Sequence, residues 1–306
     1  MQSVEDFSAV SNFNEAETAA LRDLLHSNRI MQCAHVIAGK VFRAGDYNAA
    51  LDLLPEGELL AGAWLAAAFL SFDFSRQRFQ ELGFPENLWR DTMTDLVIWL
   101  RHEKRNSGVT GLGEKARLWT AHLYRGDVLR FGRLECNQRY FFKYEKLLDN
   151  SGNILVAPGE PVINLHIPED GSMKLELCSR SVKAMAEFFA RRYPEYNWRG
   201  MICTSWLCDT QLADMLPAES NIVKFQSLGI HFPVDVAADT VFRVFGNKDP
   251  FTLEKPTLLQ RKAAEFLKNN GVFREEGLFI SRNDLEAVEF DLDLLLEKKK
   301  KSGDEK

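Results

Sequence analysis

His166 closes an apolar run, "VINLHI", in which Asn164 lies two residues earlier and so on the same side of an extended strand. A neutral imidazole titrates in the range useful for taking a proton from a nucleophile; the other reading of His166 is a hydrogen-bonded, partly buried histidine. The run breaks at Pro168, turns through Glu169, Asp170 and Gly171, and enters an amphipathic stretch. Strand, turn and helix in that order leave backbone N–H groups at a helix N-terminus, where an anion can bind. Ser172 and Met173 supply those donors just after Gly171. Cys203 lies in the next apolar run, "MICTSWL". Paired with His166 on an adjacent strand it could become a reactive thiolate; the alternative is a buried, inert cysteine. In "GRLECNQR" a strand pattern sets Arg133 and Glu135 outward and Leu134 and Cys136 inward. The two charged residues either recognise a substrate carboxylate or amine, or form a solvated strand face with cross-strand partners.

The elements that must position these groups are legible in the hydrophobic period. Up to about Lys115 the pattern is helical, with Asn14 as an N-cap and Glu15 and Glu17 in the first turn of a helix reaching to Gly45. "DYNAALDLLP", "GELLAGAWLAAAFLSF" and "PENLWRDTMTDLVIWLRHEKRN" read as further helices. From about Trp119 the period shortens. Two strands joined near Asn137 are expected, then the strand 162–167 and a helix from about Lys174 to Arg192, which aligns Leu175, Cys178, Val182, Met185, Ala186 and Phe189 on one face. "RGMICTSWLCD" reads as a buried strand, "TQLADML" and "AESNIVKFQSLG" as short helices, and "HFPVDVAADTVFRVFG" as one or two strands. A helix from Thr257 to Asn269 stops at Asn270-Gly271, and "GVFREEGLFI" reads as a closing hairpin. Strand, helix, strand demands neighbouring parallel strands in a mixed sheet with helices on its faces. The class is α/β (α+β): an all-helical N-terminal domain at 1–117, a sheet domain at 118–296 and a charged, disordered tail at 297–306.

Bulk composition narrows the function. The 306 residues carry a net charge of −6, and the one basic run is Lys298 to Lys301. Without a basic stripe, nucleic acid is not an expected partner, because phosphate neutralisation needs clustered Lys and Arg. The N-terminus is polar and acidic, unlike a signal peptide, and the window from Leu59 to Phe74 is too short to span a bilayer, so no membrane partner is expected. Five scattered cysteines show no metal-ligand spacing, so no metal is expected and the reducing cytoplasm is the expected compartment. No nucleophile elbow, P-loop or zinc-protease motif is present.

The order of elements, with "RDTMTDLVIWL", "GRLECNQR", "NLHIPEDG", "CTSWLCDTQLADMLPAESNIVKF" and "PTLLQRKAAEFLKNNG", resembles the bacterial acyltransferases that join a helical N-terminal domain to a GNAT-like C-terminal domain. These segments span about two-thirds of the chain. "SNIVKFQSLGIHF" sets Asn221, Phe225, Gly229 and Phe232 in an arrangement similar to a later GNAT helix. The resemblance implies a GNAT-like mixed sheet flanked by helices, acyl-CoA as co-substrate and a small amine as acceptor. It implies His166 as general base, Gly171, Ser172 and Met173 beside the donor's phosphates, Ser205, Trp206 and Asn221 along the donor slot, and Arg133 and Glu135 facing the acceptor. One feature departs from the pattern. The superfamily carries Q/R-x-x-G-x-G/A at the pyrophosphate turn, and this chain has "PEDGSM", where two carboxylates repel a diphosphate unless they point away. The alternative is therefore a non-catalytic GNAT-like scaffold that binds a small ligand or a protein partner. The oligomeric state is not specified by the sequence.

Overall fold

The structure is a computed structural model that describes residues 3–46, 58–143, 145–149, 151–235 and 239–304. The chain divides into two compact units, Met1–Arg130 with Pro168–Asp170, and Phe131–Ile167 with Gly171–Lys306. The expected helix "DYNAALDLLP" falls almost entirely outside the described residues.

Among the described residues the first unit is helical: α1 (Val4–Val10), α2 (Glu15–His26), α3 (Asn28–Ile37), α4 (Glu58–Leu70), α5 (Phe72–Glu81), α6 (Glu86–Met93), α7 (Asp95–Ser107) and α8 (Glu114–Arg125). Asn14 caps α2 in a reciprocal capping box with Glu17, satisfying two orphan amides at once. The single helix expected from Asn14 to Gly45 is interrupted because Ser27 turns its hydroxyl onto the Ile30 amide and starts α3. α3 then ends in a π-helical turn, Ala38–Arg43. The expected helix from Pro85 is likewise two, broken where Thr94 hydrogen-bonds back to the Asp91 carbonyl. α4 is apolar on every side and Ala61 to Ala68 are almost all buried, so it forms the centre of this unit. Phe7 meets Phe72 edge to face with centroids 5.1 Å apart, and Phe72 meets Trp89 at a tilt with centroids 4.8 Å apart. No single helix among the described residues is long and apolar enough to cross a membrane. The α4–α5 pair passes that test together but is bent by 49°.

The second unit is built on a mixed sheet. Its elements are β1 (Leu129–Phe131), β2 (Leu134–Tyr140), β3 (Leu147–Leu148), β4 (Ile154–Val156), β5 (Pro161–His166), α9 (Leu175–Arg192), β6 (Gly200–Ser205), α10 (Asn221–Gln226), β7 (Ile230–Pro233), α11 (Thr240–Phe245), α12 (Leu258–Lys268), β8 (Glu276–Ser281), α13 (Arg282–Glu286) and α14 (Leu292–Asp304). The strand order is β1-β2-β5-β6-β8-β7, with β3 and β4 as a separate pair. β5 and β6 are parallel, as the α9 crossover requires, while β2–β5, β6–β8 and β7–β8 are antiparallel. The parallel ladder is short: it runs from Ile163↔Met201 to Leu165↔Cys203 and stops, although β6 continues to Ser205.

Several expectations need correction. The turn between the first two strands is at Gly132, whose φ of 67° suits glycine, and Asn137 lies in mid-strand. "TVFRVF" is α11, not a strand; Phe245 packs with Ala263 of α12, and this tertiary contact overrides the β-propensity of Val and Phe. Of the expected closing hairpin only β8 forms. The basic run Lys298 to Lys301 is helical and not a disordered tail: Leu292, Leu295 and Leu296 are buried on one side of α14, and Lys299 reaches Asp284 at 2.6 Å.

Candidate active site

Strand alternation and register decide which side chains meet. Asn164 and His166 project from one face of β5; β2 pairs Asn137 with Asn164 and Glu135 with His166, so all four share that face. Asn164 is 3% exposed and Glu135 1%. The expected outward, solvated position of Glu135 is therefore corrected, since this face of the sheet is covered as well. His166 Nε2 lies 2.8 Å from Asn137 Oδ1 and 3.1 Å from Asn164 Nδ2, and Asn164 Nδ2 donates to the same Asn137 Oδ1 at 3.0 Å. Burial, helped by the nearby Arg139 guanidinium, pushes the His166 pKa down from 6.5 to about 4. The ring is thus neutral at physiological pH.

Cys203 cannot join it. Register places Cys203 beside Leu165, whose side chain points to the opposite face from His166. That face carries α9: Ser181 accepts the Arg133 and Leu134 amides there, and the Cys178 thiol lies within electrostatic reach of Cys203. Cys203 is 1% exposed. The Cys203–His166 pair expected as an alternative is excluded by the sheet itself.

The turn after β5 resolves the acid problem posed by "PEDGSM". Glu169 is held by Arg105 at 2.6 Å, with His102 at 3.8 Å, and Asp170 forms an ion pair with Arg130; all of these residues belong to the helical unit. Both carboxylates are thereby neutralised by cationic partners. Arg133 donates through Nε to the Ser172 carbonyl and through Nη2 to the Gly171 carbonyl, each at 3.0 Å, so it supports the turn and leaves a guanidinium beside it. Asn221, the first residue of α10, donates to Ser172 Oγ at 3.1 Å. The amides of Ser172, Met173, Lys174, Leu175 and Glu176 have no acceptor among the described residues, and α9 begins without a side-chain cap. A run of free N–H groups at the positive end of an 18-residue helix is suited to an anionic group.

The structure therefore brings Gly171, Ser172, Met173, Arg133 and Asn221 together at the turn, and His166 with Glu135 one strand-end away. Ser205 and Trp206 stand at the end of β6, just beyond the last rung it shares with β5. Ser205 Oγ accepts the Leu207 amide as a cap, and Trp206 packs against Leu212, Phe245, Ala263 and Phe273. Asn137 was missed by sequence reasoning because the strand boundary was set on it; its i+2 spacing from Glu135 was the available signal. Arg105 and Arg130, which hold the turn's acids, carry no local signature at all.

Two family models match in tandem: an N-acyltransferase N-terminal domain over residues 4–126 and a GNAT-like C-terminal domain over residues 128–279. No curated protein matches the chain in sequence. Among solved structures, an acyltransferase variant in complex with octanoyl-CoA is similar, with a TM-score of 0.70 and 20% identity, over 91% of this chain and 87% of that one. An acyltransferase in complex with decanoyl-CoA and teicoplanin gives a TM-score of 0.65 at 21% identity, over 91% and 87%. A decanoyl-CoA complex gives 0.61 at 21%, over 92% and 99%. At these identities the likeness is one of fold. With both halves matched in order, this chain belongs to the N-acyltransferase family that joins an N-terminal helical domain to a GNAT-like C-terminal domain.

Proposed function

We propose that the protein transfers an acyl group from acyl-CoA to the amino group of a small molecule. The observation that carries this is the state of the turn: Glu169 and Asp170 are paired with Arg105 and Arg130, while the amides from Ser172 to Glu176 have no acceptor among the described residues. A diphosphate would sit on those amides with the Arg133 guanidinium beside it, so the altered turn serves in place of the glycine-rich signature. The fold neighbours were solved with acyl-CoA bound, one of them together with teicoplanin, which supports a CoA donor and a small-molecule acceptor.

In this reading the amine nitrogen attacks the thioester carbonyl. A C–N bond forms, the C–S bond breaks, the amine proton passes to neutral His166, and CoA departs as a thiolate that is then protonated. Holding both substrates in line supplies most of the rate, because thioesters need alignment more than a strong nucleophile. Isothermal titration with acetyl-, octanoyl- and decanoyl-CoA, followed by a mass-spectrometric screen of amines, tests the proposal. Micromolar binding with acyl transfer is expected. Absence of heat with all three donors, from protein shown to be folded, refutes it and returns the weight to a ligand-binding scaffold.

A further inference from the structure

Arg139 follows Glu135 and Asn137 by strand alternation on the face of β2 that meets Asn164 and His166 of β5. Its backbone is fixed by a phenol. Tyr196 Oη accepts the Arg139 amide at 3.0 Å and lies 2.6 Å from the Arg139 carbonyl and 2.7 Å from the carbonyl of Val162, the residue opposite Arg139 in the ladder. Its guanidinium rests over the Phe142 ring, 4.6 Å from the centroid, and Phe142 is itself held against Phe141 and Phe232. A guanidinium laid on a ring keeps its N–H groups at the edge of the fork, free to donate. None of them meets an acceptor among the described residues. The surrounding packing nonetheless desolvates the group and lowers its pKa, and its charge reaches His166.

We infer that Arg139 is a specificity-determining residue that takes the carboxylate of the acceptor, so that the amine acylated here belongs to an amino acid or another amine that also carries a carboxylate. This deepens the acyl-transfer reading above and rests on it for the fate of the amine. A guanidinium fork matches a carboxylate bidentately. One guanidinium on a face that also carries Glu135 balances a single negative charge, which a carboxylate supplies and a phosphate monoester exceeds. The amine end has a place as well. Asn164 is 3% exposed, and its Oδ1 is buried without a hydrogen-bond partner among the described residues. Asn164 pairs with Asn137, two residues from Arg139 and so about 7 Å along the strand. A lone acceptor oxygen and a donor fork at that spacing complement the two ends of one small amino-carboxylate, with His166 on the same face. Phe142 and Tyr196 already order Arg139, so little of the binding energy is lost in fixing it.

The test is calorimetry without acyl-CoA, comparing glycine, 4-aminobutanoate and 6-aminohexanoate with their neutral amides, so that the chain lengths bracket the spacing. At least one acid is expected to bind roughly tenfold or more tightly than its amide, which is what a charge-assisted hydrogen bond supplies. Arg139→Gln, with folding checked by circular dichroism, is expected to abolish that difference. Arg139→Lys is expected to retain part of it, because the charge stays and the fork is lost. Transfer assays with octanoyl-CoA are expected to show the same preference in kcat/KM. No acid favoured over its amide in the wild type, or a preference that survives in Arg139→Gln, overturns the proposal. The binding is read without turnover. Arg139-dependent binding of an acid by a protein that transfers no acyl group to it would refute the acyl-transfer reading and leave the carboxylate site standing.

Discussion

Replacing His166 by glutamine removes a titrating group from the sheet, and its effect on stability can be worked out from the depressed pKa. In the folded protein His166 binds its proton only near pH 4, whereas an unfolded chain binds it near 6.5. The folded form is therefore favoured without reserve above pH 6.5. As the pH falls below that value the unfolded state gains the proton first, and stability is lost until pH 4, where both forms are charged. At pH 5 the unfolded chain has gained about one and a half pH units of proton binding, which at ~1.4 kcal/mol per unit is about 2 kcal/mol. Urea unfolding of wild type and His166→Gln at pH 7.5 and pH 5 measures it. The wild type is expected to lose about 2 kcal/mol more than the variant between the two conditions. Equal losses would show that His166 is solvated and titrates normally, and the description of it as a neutral, partly buried base would fall with that result. NMR titration of the same ring supplies the direct check, with its midpoint expected near 4.

Three other perturbations follow from contacts already described. Arg133→Met removes two charge-assisted hydrogen bonds to the Gly171 and Ser172 carbonyls and should weaken acyl-CoA binding roughly tenfold by calorimetry; unchanged affinity would mean the turn holds its shape unaided. Gly277→Ala places a methyl group 2.1 Å from the Phe232 ring and should cost roughly 1–3 kcal/mol, visible as a lower Tm, whereas an unshifted Tm would contradict the close packing of β7 on β8. Alkylation of the native protein by iodoacetamide should modify Cys33 alone, because the other four thiols are buried and burial raises Cys178 to about 11. Rapid labelling of Cys203 would revive it as a nucleophile.

How much of this was readable beforehand differs from element to element. The face of α9 made by Leu175, Cys178, Val182, Met185, Ala186 and Phe189 was legible because all six are buried against one side, which is what a 3.6-residue period reports. The βαβ crossover was legible for a similar reason: "VINLHI" and "MICTSWL" are continuous apolar runs, as a strand covered on both faces requires. The pairing of β8 with both β6 and β7 was not, since nothing local in "EGLFIS" specifies two neighbours. Within the site, His166 stood out by residue type. Glu135 was read as solvated because a carboxylate in a strand usually is, and only the fold shows that its face is closed. The meaning of Glu169 and Asp170 depended entirely on Arg105 and Arg130, cations distant in sequence that no periodicity could have linked to the turn.

Those two ion pairs carry a consequence for exchanging parts between members of the family. The natural place to cut is after Arg130, where one unit gives way to the other along the chain, yet Pro168–Asp170 is grouped with the helical unit. A chimera that takes residues 1–130 from one parent and the rest from another would inherit Glu169 and Asp170 without a guarantee of arginines to meet them. It would present two bare carboxylates next to the amides that α9 offers to an anion. Grafting the helical half is therefore a two-segment transplant, in which the tripeptide 168–170 travels with residues 1–130 or Arg105 and Arg130 are written into the recipient.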